Sequence, residues 1–169
     1  MPSNASTGRV LGLATVGMGL LAGLFYGYAC SVMPGLGRAD DRTVVDAMQQ
    51  INEAIENPVF FLTFLGAPVL VVWAFVLERR SGAREVLRWT FAALVLCAIA
   101  LVVTFAFNIP LNDELVNAGD PARIADLARV RDDFEGPWVA WNIVRTLAIT
   151  ASFCCLGRAL YVHARGLGR

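Results

Sequence analysis

Arg145 stands inside an apolar run, residues 138–162, whose only other charge is Arg158. Trp138, Trp141, Asn142, Arg145 and Ile149 recur at helical spacing and so share one face of a helix. Counted from Gly136-Pro137, Arg145 is about 12 Å along a helix rising 1.5 Å per residue. In a hydrocarbon core about 30 Å thick that is near the middle, where a charge costs roughly 2.5 kcal/mol or more unless it has polar company. The chemistry available there is recognition of a carbonyl or oxyanion by a planar fork of donors. Indole walls beside it suit a flat ligand.

Amides supply the company. Side chains lean toward a helix's N-terminus, so Arg145 reaches toward Asn108 and Asn112, while Asn52, Asn57 and Gln49 flank the same level from an earlier segment. Two readings of the cluster stand side by side. In one, Arg145 and the asparagines only lock helices together, with Trp138 and Trp141 as an interfacial belt. In the other, they surround a ligand.

The elements that must position these groups are membrane spans. The chain has 169 residues, 57% of them hydrophobic, and a mean hydropathy of +0.59. Apolar blocks fall at 10–33, 59–77, 89–107 and 138–162, and the first three carry no charge. Each is long enough to cross a bilayer. This predicts an all-α, integral membrane four-helix bundle in a single domain, residues 1–169. A cleaved leader is the competing reading of the first block, but its apolar run is too long and no cleavage site is clear before Pro34.

Arginine bias orients the bundle. Arg9, Arg79, Arg80, Arg84, Arg88, Arg158, Arg165 and Arg169 face only Glu78 and Glu85, a surplus of six positive charges. The other side, with Arg145 included, has six arginines against twelve carboxylates. The expectation is a multi-pass cell-membrane protein with both termini cytoplasmic and two long loops outside. The basic side reads as topology, so no nucleic-acid partner is expected; the partners are the lipid bilayer and a lipophilic aromatic small molecule.

Local signals fill in the loops. Val44, Met48, Ile51 and Ile55 make one apolar face, with Asp40 or Asp41 as N-cap. Asn57-Pro58 reads as N-cap and N1 of the second span, and Gly66-Ala67-Pro68 as a kink within it. Pro110 predicts that the third span ends near Asn108. Asp120-Pro121 predicts a second short amphipathic helix with Ile124, Leu127 and Phe134 as its buried face. Gly19, Gly23 and Gly27 form a small-residue stripe on the first span, expected to pack against a neighbour.

Metal and haem chemistry find no ligands. His163 is the one histidine, expected at the interface beyond the fourth span, and Cys30, Cys97, Cys154 and Cys155 form no Cys-x-x-Cys. The cysteines read as buried, free and hydrophobic in behaviour. No cofactor and no metal site are expected.

Several motifs in order resemble one family. They are Ser-Val-Met-Pro-Gly-Leu at 31–36, Ala-Met-Gln-Gln-Ile-Asn at 47–52, Asn57-Pro58, Asn108-x-Pro-Leu-Asn112, and Trp138-x-x-Trp-Asn-x-x-Arg-Thr-Leu147. Together they are similar to the anthrone oxygenase-like family of small membrane proteins. The resemblance implies a cofactor-independent monooxygenase acting on a planar lipophilic polyketide or quinone-like substrate. In that reading Arg145, with Asn142 or Asn108, stabilises an enolate oxygen. Trp138 and Trp141 stack on the rings, and Asn112, Asn52 and Asn57 complete the binding wall. Glu135 is the nearest carboxylate for general-base duty. The alternative is a non-catalytic membrane protein that binds a lipophilic ligand or a partner.

Overall fold

The computed structural model describes residues 4–167, with no strand among them. Arg169, counted in the charge balance, lies outside the described residues. The elements are α1 (Asn4–Gly27), a π-helical turn (Tyr28–Val32), α2 (Met33–Leu36), α3 (Asp41–Ile55), α4 (Pro58–Ser81), α5 (Arg84–Val103), a second π turn (Thr104–Asn108), α6 (Ile109–Asn117) and α7 (Leu127–Leu167). Four continuous helical runs are long and apolar enough to cross a membrane: Ala5–Leu36, Pro58–Ser81, Arg84–Asn117 and Leu127–Gly166. Their outward faces are bare hydrocarbon, with Leu62 77%, Leu147 66% and Leu20 61% exposed. Such a continuous apolar surface is stable only against lipid.

Small residues bring the spans together. Ala14, Ala67, Ala74, Ala93, Ala100 and Ala159 lie in the core beside Leu11, Met18, Val71 and Leu156, which permits close helix approach where lipid offers no hydrophobic driving force. The closest approach differs from the expected stripe. A Cβ on Gly17 would lie 2.8 Å from Ala67 Cβ, whereas Gly23 and Gly27 have nothing within 4 Å. Of the stripe, Gly19 alone abuts a neighbour, Phe153.

Local capping follows the sequence. Asp40 accepts from Thr43 N (3.1 Å) and from its hydroxyl (2.7 Å). These bonds, the hydroxyl's first, hold the exposed Asp40 carboxyl below its usual range. Asn57 caps α4 by accepting from Val59 N and Phe60 N, with Pro58 at N1. Gly82, at φ +76°, closes α4 in the left-handed region.

Two expected helix boundaries are absent. The third span does not end at Asn108; it passes through the second π turn into α6. Ile109 N donates to Thr104 O, five residues back, so the widened turn accommodates the donor that Pro110 lacks. The first span repeats the device, with Met33 N donating to Tyr28 O just before Pro34. Nor is there a separate helix from Asp120. Residues 121–123 form a turn, Asp126 accepts from Arg129 N, and α7 runs unbroken through Gly136-Pro137. The expected apolar face still packs, with Phe134 buried and Ile124 and Leu127 partly buried.

The loop-bearing end is tied down from several directions. Met33, Val45, Met48, Leu115, Phe134 and Trp138 form a second core there. Arg131 donates to Glu135 (2.6 Å), Asp41 (2.9 Å), Ala39 O and Gly37 O. At the opposite end His163, within α7 and not beyond it, lies 3.1 Å from a fully buried Glu78, which also accepts from Ser81 Oγ. Of the cysteines only Cys97 is buried; Cys30 and Cys154 are exposed on the apolar surface.

Candidate functional site

A cavity of about 1010 Å³ enters the bundle from the loop-bearing end, the upper limit of small-molecule pockets at roughly 300–1,000 Å³. Arg145, Thr104, Phe25 and Phe64 line its deep part, Asn108, Asn112, Trp138 and Tyr28 its middle, and Asn52 and Gln49 the side under α3. The two π turns contribute Tyr28 and Thr104, Phe105 and Asn108 to this wall. Widened turns re-aim side chains and recur at functional sites.

Arg145 is 6% exposed and, among the described residues, pairs with no carboxylate. One terminal nitrogen donates to Asn142 Oδ1 at 2.8 Å, the other reaches Thr104 Oγ1 at 3.5 Å, and Nε has no partner. The guanidinium carbon lies 3.9 Å from the Phe25 ring centroid and 5.8 Å from that of Trp138. Ring faces compensate part of a buried cation's lost hydration, and the remainder calls for an acceptor. Asn52 Nδ2 and Asn108 Oδ1 are buried and unpartnered as well. All three residues line the one cavity. Buried polar atoms left open cost about 1–3 kcal/mol each, so their convergence marks a place for a polar ligand edge.

The surrounding bonds fix the wall. Trp138 Nε1 donates to Asn112 Oδ1 at 2.7 Å, and Asn108 Nδ2 donates to Trp138 O at 3.4 Å. Asn142 Nδ2 donates to Phe25 O, so one amide orients both the cation and the helix carrying its aromatic neighbour.

The eight residues expected from sequence divide accordingly. Arg145, Asn108, Asn112, Asn52 and Trp138 line the cavity. Asn142 does not; it lies behind Arg145 as a positioning residue. Trp141 turns to the flank of α7 and stacks on Phe107 at 3.7 Å and 10°. Asn57 is exposed and spends its side chain on its own cap, bonding Ala54 O as well as the α4 amides. Glu135 is held by Arg131, away from the cavity. Phe25, Tyr28 and Thr104 are additions. The one sequence signal for them is an X-Pro pair two residues beyond Val32 and Asn108, where a continuing helix must widen.

Fold and cavity together define a helical membrane protein with a ligand-sized chamber between its spans. The chain belongs to the anthrone oxygenase family, whose model matches residues 57–155. No curated protein and no solved structure matches it.

Proposed function

We propose that the chamber binds a planar, lipophilic phenolic ketone of the anthrone type and promotes its oxidation by O₂ without a cofactor. The observation that carries this reading is the unpaired, buried Arg145 opening, with unpartnered Asn108 and Asn52, into one aromatic-walled cavity. Family membership supports it. The anthrone CH₂ loses a proton to give an enolate whose oxygen meets Arg145. That enolate passes one electron to O₂, and the carbon radical and superoxide join and take up a proton as a hydroperoxide. Loss of water leaves a second carbonyl, so anthrone plus O₂ becomes anthraquinone plus water. Arg145 acts through charge fixed in advance where negative charge develops, and the chamber keeps bulk water from the enolate. The mouth faces the extracytoplasmic side in this reading.

A second reading, a binding protein without turnover, is favoured by one observation. The carboxylates that line the cavity, Glu53, Glu56, Asp113 and Asp120, belong to its rim residues on α3 and near α6, and none belongs to the deep wall around Arg145. O₂ uptake by the purified protein with a panel of anthrones, above the autoxidation blank, decides between the two. Uptake with matching quinone formation and no stoichiometric iron or copper supports the oxygenase. Tight binding without uptake supports the binding protein. Absence of both removes the ligand reading.

A further inference from the structure

The chamber has two boundaries of opposite character. Its rim toward the loops carries Glu53, Glu56, Asp113 and Asp120. Its flank between α4 and the second π turn is apolar, formed by Phe61, Leu65, Phe105 and Ile109. Phe61, Leu65 and Phe105 line the cavity yet remain 44%, 53% and 55% exposed. They therefore form an edge with open surface on the span. Phe61 and Leu65 are about 6 and 12 Å along α4 from its cap, inside the run Pro58–Ser81 that is apolar enough to cross a membrane. Packing explains the gap. The body of α4 packs on α1 and α5, but its first turns diverge from α6. Phe64 against Phe105, centroids 6.1 Å apart, closes the seam from below.

Charge separates the two routes. An acidic rim repels an anion and gives a neutral flat hydrocarbon nothing to bind, while the unpaired Arg145 lies at the deep end. An apolar seam at bilayer depth passes neutral ligands already dissolved in the hydrocarbon. We infer that the ligand enters sideways from the bilayer, as a neutral lipophilic ketone or phenol, through the seam between α4 and the second π turn. It becomes an oxyanion only beside Arg145. This rests on the ligand reading above and adds the route and the charge state of the entering species.

The test measures association and equilibrium binding of 1,8-dihydroxyanthrone to the full chain in lipid nanodiscs under nitrogen. Leu65→Trp and Phe61→Trp narrow the seam, Gln50→Trp and Glu53→Trp narrow the rim, and Leu65→Ala widens the seam. The seam tryptophans should slow association about ten-fold or more with the dissociation constant within about three-fold of the parent. Leu65→Ala should speed association, and the rim variants should match the parent. Slow association in the rim variants with parental rates in the seam variants overturns the route. Should a seam tryptophan abolish binding by filling the chamber, Leu65→Ala decides alone, and an unchanged rate there overturns it. An unmutated protein that binds no anthrone removes the ligand reading itself, a result distinct from a misplaced entrance.

Discussion

The Asn142 side-chain oxygen accepts from Arg145 at 2.8 Å, and the same amide donates to Phe25 O on another helix. A neutral amide therefore stands where a buried ion pair would place a carboxylate. The cation is held in orientation without being neutralised, and its charge stays available to a ligand. Asn142→Asp should close that vacancy. The bundle should keep its melting temperature in detergent, while affinity for an anthrone falls by roughly ten- to a hundred-fold, since charged hydrogen bonds contribute about 1.5–3 kcal/mol. Undiminished binding to Asn142→Asp would show that Arg145's charge is not used.

Arg145 itself separates a ligand site from a helix lock. Lysine keeps the charge but loses the planar fork that serves Asn142, Thr104 and a ligand together. Arg145→Lys should fold and lose most binding and O₂ uptake, and Arg145→Leu should be at least as stable, because it removes an intramembrane charge. Thermal stability and binding are read side by side. A stable Arg145→Leu protein with full activity removes this residue from the site.

Packing between α1 and α4 makes a second kind of prediction. Gly17→Val forces side-chain atoms into the space where a Cβ alone would be 2.8 Å from Ala67 Cβ. It should cost about 1–3 kcal/mol by overpacking. Gly23→Ala meets nothing within 4 Å and should be neutral or slightly stabilising in a helix interior. Reversible unfolding in mixed micelles measures both, and equal effects would contradict the packing described.

Orientation follows from the arginine balance. In a Cys30→Ser, Cys154→Ser background, a membrane-impermeant thiol reagent on intact cells should label Ala122→Cys and miss Ala83→Cys. Both positions are exposed, and Ala83 avoids the left-handed backbone of Gly82. The reverse pattern would put the acidic rim in the cytoplasm.

Asp40 gives a pH dependence outside the membrane. Its carboxyl titrates lower folded than unfolded, so its contribution to α3 is complete above the usual carboxylate range near about pH 4. That contribution is lost only as pH falls through the lowered folded value. Amide exchange in the first turn of α3 should rise on acidification below that range. Asp40→Asn keeps a capping oxygen without the titration and should flatten the response.

What was legible in the sequence was local or periodic. The spans follow from uninterrupted apolar length, and the caps at Asp40 and Asn57 from bonds that close within three residues. Asn57 also shows the limit: a side chain that completes its own helix start has nothing left for a ligand. Trp141 shares a helix face with Trp138, yet its direction depends on Phe107 across the interface, which no spacing along one segment encodes. Phe25 and Tyr28 come from a span more than a hundred positions from Arg145 in sequence, and the π turns that aim Tyr28 and Asn108 leave no mark in an apolar pattern.

Those two π turns have a consequence for how the chain tolerates insertions and deletions. Each holds one residue more than a regular α-helix needs, so removing one there would restore ordinary i→i−4 bonding and tighten the helix. The same edit would swing everything beyond it by about 100°. After the second turn, that would carry Asn112 off Trp138 and α6 off the carbonyls that Gln49 holds on Leu115 and Gly119. A designer shortening this protein for stability would therefore obtain straighter helices around an empty, misaligned chamber.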